Sequence, residues 1–529
     1  MRVHFVELNA RLNTLATKPV FPKYGTPLLA TILKGRGHDV RIFLEGVSEL
    51  DLERIVDCDV VCMPVYAPAY NKVKELGARL RRSGVTVIMG GPHVCLYPDT
   101  VSGLCDYAVR CEGDEVLPEL LDVLAAGGDP GEVAGISFRR GSELVQTPDR
   151  APPAIPSVIP DLTLIEGFEA AARGLGRRER VVNTLQTSRG CAFRCRFCPT
   201  SRLFGGVYRN RDIDSIVAEI RAKLVYNPFF FVVDNSFLSN RERTVELLRR
   251  LERERLGAHL IIFERHEIGK DEELLRLMRR AGVRCIIVGI ESLVDANLKS
   301  YRKEQSSQQV RRSIASILAQ DIHVIGTFVL GGDGDTPEAG DQIVQFVRET
   351  GISPNLFVMH DVEEDPARRL LIPLERRFRT YYDLDQSTDY YDYATGNFVT
   401  YFPRRMRPST LQRMVVDVYR RCFSHGSTLR RVFSRNAFAS VFGVDHGFSM
   451  RRLTEVVGQV SDDYYVEYLR GVEEGLYDGE ELVPERLAGL TKLPQPRSLQ
   501  QDRVDQRSYG GLIAALAIPG LLRLRFGQA

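Results

Sequence analysis

No excess of one charge sign marks this chain. Its 71 basic side chains stand against 69 acidic ones, a net charge of +2, so nucleic acid is not an expected partner. Gly-rich, Pro-rich and acidic tracts of any length are absent, as is any internal repeat. With 44% hydrophobic and 26% charged residues the chain reads as globular, and 529 residues exceed one ordinary core, so two or three domains are expected. No basic-then-apolar leader is seen: Met1–Leu8 runs straight into a strand-like pattern, so secretion is not expected and the cytoplasm is. No run is long enough to cross a bilayer. The longest apolar stretch, GLIAALAIPGLL at Gly511–Leu522, is short and broken by Pro519. A packed C-terminal helix is expected there, with a membrane-surface anchor preceding Arg523 and Arg525 as the alternative.

A disulfide framework is likewise not expected, since ten cysteines are too sparse for one in a chain of this length and intracellular character. Cys58, Cys62, Cys95, Cys105, Cys111, Cys285 and Cys422 are scattered, most in apolar contexts, and read as small buried hydrophobes. The remaining three fall within eight residues and need a chemical reason.

What is present is a repeated alternation of strand-like and helix-like runs. VHFVEL (Val3–Leu8), VRIF (Val40–Phe43), DVVCM (Asp59–Met63), VTVIM (Val85–Met89) and YAVR (Tyr107–Arg110) read as strands. Helices are expected over Pro27–Lys34, Leu50–Val56, Asn71–Arg82 and Val116–Ala126. Near-continuous apolar strands in this rhythm predict an α/β, doubly wound Rossmann-like sheet over residues 1–140, with ligand outside the carboxyl ends of its strands. Pro-rich Thr147–Pro160 lies in an expected linker, 141–180. Over 181–365 six further strands are expected: Val181–Gln186, Phe229–Asp234, His259–Glu264, Cys285–Gly289, Val324–Leu330 and Asn355–His360. They alternate with helices, the last capped by Thr336 with Pro337 at its first position. Six such units predict a partial (β/α)6 barrel with its chemistry at the strands' carboxyl ends. Residues 366–529 read as mostly helical, rich in Arg and Tyr, and are expected to shape a substrate pocket.

Just after the first barrel strand, SRGCAFRCRFCPTS (Ser188–Ser201) sets Cys191, Cys195 and Cys198 as C-x3-C-x2-C. Thiolates are the soft ligands an iron–sulfur cluster needs. Three of them satisfy three irons of a cubane and leave one corner free to chelate an amine and a carboxylate. Zinc would want a fourth ligand, and no Cys or His stands nearby at a suitable spacing. A disulfide would leave one thiol over.

With Phe197 before its last cysteine, this motif resembles the signature of radical S-adenosylmethionine (SAM) enzymes. The resemblance covers Val181 to about Phe357 and implies a [4Fe–4S] cluster on Cys191, Cys195 and Cys198, with SAM on the open iron. It further implies an external electron donor of flavodoxin or ferredoxin type and a 5′-deoxyadenosyl radical that takes hydrogen from a small-molecule substrate. FFFVVDNSF (Phe229–Phe237) resembles the second-strand motif beside the SAM amino group, which points to Asp234 and Asn235; a turn and helix cap is the other reading of these residues. VGIES (Val288–Ser292) resembles the fourth-strand motif, with close approach at Gly289 and a ligand role for Glu291, against a structural ion pair. GTFVLGGDGDT (Gly326–Thr336) resembles the fifth-strand segment, with Gly326 against the adenosine. NLFVMHDVEEDP (Asn355–Pro366) departs from the Pro/Gly-rich sixth strand of many relatives. His360 and Asp361 there, with Glu363 and Glu364, face either a polar or cationic substrate or solvent.

The first domain resembles the cobalamin-binding domain fused to one large radical SAM subfamily. Pro22–Phe43, Val87–Asp99 and Asp106–Leu121 carry the likeness, and Gly135–Pro153 closes it. It implies cobalamin contacts from Tyr24, Gly25, Gly90, Gly91, Pro92, His93, Glu112 and Gly113, with no protein histidine beneath cobalt; His93 is the nearest alternative ligand. A D-x-H-x-x-G does occur, Asp321 to Gly326 around His323, but it opens the fifth barrel strand and is read as coincidence.

Together the resemblances imply a cobalamin-dependent radical SAM methyltransferase acting on an unactivated carbon of a natural product or lipid. One SAM methylates reduced cobalamin, and a second yields the radical whose product takes that methyl. A cyclase, oxidase or ring-rearranging enzyme with the same cofactors is the alternative. A methylthiotransferase would want three further cluster cysteines in a matching arrangement, which the first domain lacks, and a non-catalytic cofactor sensor is the reading from another class. No acid–base triad is offered, and no catalytic residue is assigned.

Overall fold

The computed structural model describes residues 1–11, 22–172, 182–303, 305–360, 371–382, 390–424, 450–451, 454–497 and 499. The Gly511–Leu522 stretch and Asp361 lie outside them.

The first sheet holds β1 (Arg2–Glu7), β2 (Asp39–Leu44), β3 (Val60–Pro64), β4 (Thr86–Gly90), β5 (Tyr107–Val109), β6 (Ile136–Arg140) and β7 (Glu143–Gln146), in the order β2-β1-β3-β4-β5-β6-β7. Pairing is parallel through β5, and β6 and β7 close the edge antiparallel. Strand order reverses between β1 and β3, the switch point where such sheets open a crevice. Sheet pairing continues through Gln146, past the expected boundary at 140. The far end of the expected linker packs on the first domain. Ile165 bridges Ile42, Lys34 pairs with Asp161 at 2.9 Å, and Phe168 is buried in the first core.

The second sheet comprises β8 (Asn183–Leu185), β11 (Phe229–Val232), β12 (His259–Arg265), β13 (Val283–Glu291), β14 (His323–Leu330) and β15 (Ser353–Val358). All are parallel and in sequence order across the sheet. A two-residue hairpin, β9 (Ser188–Arg189) with β10 (Arg209–Asn210), brackets the cysteine loop. Asp212, Asn240 and Asp271 cap the intervening helices through their side chains, and Ser306 with Gln309 forms a capping box, so local sequence sets where each crossover begins. The helix expected after Thr336 starts later, at Ala339; Thr336 and Pro337 form a preceding turn in which Ala339 N–H bonds the Thr336 carbonyl at 3.0 Å. His323 opens β14 buried, its Nε2 3.2 Å from Ser353 Oγ.

The C-terminal part covers the open side of this sheet. Helix Pro408–Cys422 packs on helix Ala339–Thr350. The Tyr419 hydroxyl accepts from Leu356 N–H at 2.9 Å and donates to its carbonyl at 2.8 Å, occupying the free edge of β15.

Candidate active site and cofactor cavities

Two cavities lie side by side at the carboxyl ends of the two sheets. The larger, about 530 Å³, opens between the barrel, the Ala67–Pro68 corner of the first domain and the 394–396 turn of the C-terminal part. The smaller, about 250 Å³, has the first sheet on one side and Gln186, Arg189, Leu203 and Phe204 on the other. Their partition is thin: Tyr66 lines the smaller and Ala67 the larger, while along helix Thr200–Leu203 it is Leu203 and Ser201 respectively.

Gly190 carries the chain from the hairpin into the cysteine loop. Its φ is +84°, and a Cβ there would collide with the Val207 carbonyl, so a side chain has no room. Cys191, Cys195 and Cys198 all line the larger cavity. Among the described residues no three His, Cys, Asp or Glu side chains converge tightly enough to hold one metal ion. Lining one cavity, the three thiols suit a multi-iron cluster. Burial pushes the Cys195 thiol up, while the cations of Lys303 and Arg265 pull it back. The loop is anchored by Ala192 N–H to Ser239 Oγ (3.3 Å), by Arg196 N–H to the Tyr301 carbonyl (3.2 Å) and by the Phe197 ring edge-on to Tyr301 at 5.4 Å.

Of the residues expected beside SAM, Phe197, Asn235, Gly289 and Glu291 share this cavity with the thiols. Asp234 and Gly326 do not line it. The Asp234 carboxylate is buried and turned toward the segment that follows β8, accepting from Thr187 N–H (2.7 Å) and from the hydroxyls of Thr187 and Ser188 (the latter 2.7 Å). Burial raises its carboxyl, against those hydrogen bonds; it pins the segment that enters the cysteine loop. A Cβ on Gly326 would meet Ile290 and Ile352, so that glycine serves packing, and the alternation of β14 presents Thr327 and Val329 to the cavity. Glu291 faces the cavity but is engaged. Lys303 Nζ lies 2.7 Å from its Oε1 and 2.7 Å from the Gly289 carbonyl, at a bulge where Glu291 takes φ +64°.

Lys303, Glu264 and Arg265 also line this cavity and carry no role in the sequence reading. Lys303 sits in a solvent-like run, SYRKEQ, that gives no signal. Glu264 and Arg265 end β12, where the barrel rule places function. The Glu264 carboxylate accepts from Leu238 N–H (2.7 Å), Arg265 N–H (2.8 Å) and Ser236 Oγ (3.1 Å), and burial nevertheless pushes its pKa to about 7. His360 lines the cavity too. Burial, then Arg379 and Arg377, lowers it to about 4, so it is neutral near pH 7.

Tyr24, Gly25, Gly90, Gly91, Pro92, Glu112 and Gly113 line the smaller cavity. At Gly91, φ is +93° and a Cβ would approach Val65 N to 3.1 Å, so backbone itself forms the rim, as a broad flat ligand requires. His93 departs from expectation. Pro92 starts helix Pro92–Leu96 and turns His93 into the core, where it is 2% exposed beside Tyr70, with Nε2 2.9 Å from Thr100 Oγ1. Burial lowers its pKa to about 3, and it does not line the cavity. Two other expected contacts are committed across the domain interface. Glu112 pairs with Arg189 at 2.6 Å and with Arg209, and Asp114 also holds Arg189. The Tyr24 hydroxyl donates to Glu219 at 3.0 Å and accepts from Arg211 at 2.7 Å, beside a fully buried Arg211–Glu219–Lys223 group.

Residues 185–347 match the radical SAM superfamily and residues 11–121 match the B12 binding domain. The chain is 26% identical over 358 residues to an uncharacterized methyltransferase of Pyrococcus horikoshii, covering 64% of this chain and 75% of that one. It is 25% identical over 462 residues to the anaerobic magnesium-protoporphyrin IX monomethyl ester cyclase of Rubrivivax gelatinosus, covering 82% and 80%. The fold is shared, at TM-score 0.57 and 19% identity over 68% of this chain and 75% of that one, with the radical SAM methyltransferase TsrM of Kitasatospora setae, solved with cobalamin and a [4Fe–4S] cluster. No helix among the described residues is long and apolar enough to cross a membrane. Three thiols around one cavity, a glycine-rimmed crevice beside it and the two family matches make this chain a radical SAM enzyme with a fused B12 binding domain, using a [4Fe–4S] cluster, SAM and cobalamin.

Proposed function

We propose that the protein is a C-methyltransferase acting on an unactivated carbon of a small natural product or lipid, in the cytoplasm, where its ten free cysteines stay reduced. The observation that carries this is the thin partition between the two cavities, which would let a methyl group held in one meet a carbon centre formed in the other. When bound, the cluster with SAM supplies a 5′-deoxyadenosyl radical and cobalamin supplies the methyl. Cys191, Cys195 and Cys198 would hold the cluster. Asn235, Gly289 and the Glu291–Lys303 pair would bound SAM, and Gly90, Gly91 and Gly113 would underlie the corrin. Phe263, Phe357, Val358 and Met359 exclude water from the reacting side. Glu264 and His360 are the groups there able to hold a proton near neutrality and an open lone pair, respectively.

The test is anaerobic reconstitution with hydroxocobalamin, methyl-labelled SAM and reductant over a substrate panel. Methyl transfer predicts one 5′-deoxyadenosine and one S-adenosylhomocysteine per labelled product. A second reading is favoured by the cyclase likeness, which spans 82% of this chain against 64% for the Pyrococcus relative. A cyclase or oxidase would give 5′-deoxyadenosine and an unlabelled product. Labelled product without 5′-deoxyadenosine would overturn both.

A further inference from the structure

Lys303 lines the same cavity as the three thiols but comes from outside the sheet, on the turn that follows helix Asp295–Ser300. Gln305 ties that turn to the end of β13, its Nε2 donating to the Ile290 carbonyl at 2.6 Å. The turn also braces the cysteine loop, since Arg196 N–H reaches the Tyr301 carbonyl at 3.2 Å and the Phe197 ring meets Tyr301 edge-on. Lys303 Nζ donates to Glu291 Oε1 and to the Gly289 carbonyl, both at 2.7 Å, and fills space that a Cβ on Gly289 would need. An ammonium has three donors, and the third finds no partner among the described residues. The side chains of Lys303 and Glu291 are 3% and 11% exposed, so both charges are held out of water. Stability does not explain such a pair, because well-packed apolar side chains of similar volume often do as well or better. Backbone strain falls on the same spot. Glu291 takes φ +64° where the β13–β14 register shifts, and strain of this kind gathers at functional sites.

We propose that Lys303 raises the reduction potential of the iron–sulfur cluster and that Glu291 limits how far it does so. The proposal rests on the radical SAM reading, in which Cys191, Cys195 and Cys198 hold that cluster. A cubane on three thiolates is an anion, and reduction adds one electron to it with no bond made or broken. A cation kept out of water on the same cavity wall stabilises the reduced state more than the oxidised one. Net charge and solvent exposure are among the levers that set such potentials, and poor screening in a buried site enlarges the effect. Burial raises the Cys195 thiol, and Lys303 is the charge that most draws it back down. Arg265 is the other cation near Cys195, but Glu267 takes it with two hydrogen bonds, from Nε at 3.0 Å and Nη2 at 2.5 Å, and its side chain is 16% exposed. Its field is therefore better cancelled than that of Lys303, which gives its carboxylate a single hydrogen bond.

The test is a redox titration of the full-length, cluster-loaded protein without SAM, poised with dithionite and low-potential mediators. The electron paramagnetic resonance signal of the reduced cluster reports the midpoint. Lys303→Met should make one-electron reduction about tenfold less favourable, a fall of about 59 mV. Glu291→Gln should move the midpoint upward, because it removes the counter-charge and leaves the ammonium. A pair that only braces the fold would not shift the potential in opposite directions. Lys303→Arg keeps the charge and should stay close to the wild type. An unchanged midpoint in Lys303→Met at normal iron content would overturn the proposal, as would a fall in Lys303→Arg equal to that in Lys303→Met. If Lys303→Met failed to hold iron, Glu291→Gln decides: a higher midpoint upholds the proposal, and an equal or lower one overturns it. A wild-type protein with no reducible cluster would instead remove the radical SAM reading on which the role of Lys303 depends.

Discussion

The two cavities are built from different materials. The barrel cavity is walled by side chains with chemistry of their own: three thiols, the Glu291–Lys303 pair, Glu264, Arg265 and a neutral His360. The cavity of the first domain is rimmed by glycine backbone, and the charged groups on its wall face each other across the domain interface. One site is a set of functional groups and the other is a shape. Single substitutions should therefore act differently on the two, and the interface between them is where the distinction can fail.

The largest effect belongs to the thiols. Cys195→Ala is expected to abolish the iron–sulfur chromophore and 5′-deoxyadenosine formation, because a cubane held by two cysteines loses a required ligand. Cobalamin binding should survive. Iron analysis and the corrin absorbance of one purified sample check both halves, and loss of cobalamin together with iron would show that the cavities are not separable.

Arg189 is where separability is most at risk. It stands two residues before Cys191, lines the smaller cavity and is held by Glu112 and Asp114. Arg189→Met would leave Asp114 buried without its cation. Removing one partner of a buried group costs about 3–5 kcal/mol, to be read as a lower melting temperature. Cobalamin affinity and iron content should fall together, unlike in Cys195→Ala.

The motif-bearing half of this comparison was legible from sequence because its residue types are scarce and purposeful: three cysteines in eight residues have few readings. The two alternations likewise fixed both sheets, since buried parallel strands must be apolar throughout. Gly326 sits in the expected strand yet packs away from the cavity, because a one-residue step along a strand reverses the face and a motif does not give that phase. Asp234 lies past the end of β11, where its carboxylate is drawn to Thr187 and Ser188. Lys303 was invisible, as only folding carries it from a polar loop to a buried carboxylate. The Pro-rich run 147–160 reads as part of an interdomain linker, and its irregular pattern gave no sign that Ile165 and Phe168, just beyond it, are buried in the first core.

Glu264 gives the barrel cavity a signature that a cavity of pure shape cannot have. Its pKa is raised from the ordinary 4.5 to about 7 in the folded protein, so between these values the unfolded chain has released a proton that the native state keeps. Native stability should therefore fall as pH rises from about 4.5 to 7, by up to about 3 kcal/mol from this group. Glu264→Gln should flatten that part of the stability profile, seen by denaturant titration across the range. An unchanged slope would mean that the carboxylate is solvated better than its burial implies.

The smallest effects come from the first domain and set backbone against side chain within one loop. Gly91→Val forces a β-branched residue into φ +93° with its Cβ against Val65, a strain of about 1–3 kcal/mol, and should weaken cobalamin about tenfold or more while leaving iron content unchanged. His93, two residues on, is the conspicuous side chain of the same loop, yet it points into a cluster with Tyr70 and Tyr391 and bonds Thr100. His93→Phe keeps the ring packing and loses one buried hydrogen bond, about 1 kcal/mol of stability. The absorption spectrum and affinity of bound cobalamin should not change. A shift in the corrin bands would mean that His93 swings out to cobalt when the cofactor binds, and that the first domain recognises its ligand by a functional group after all.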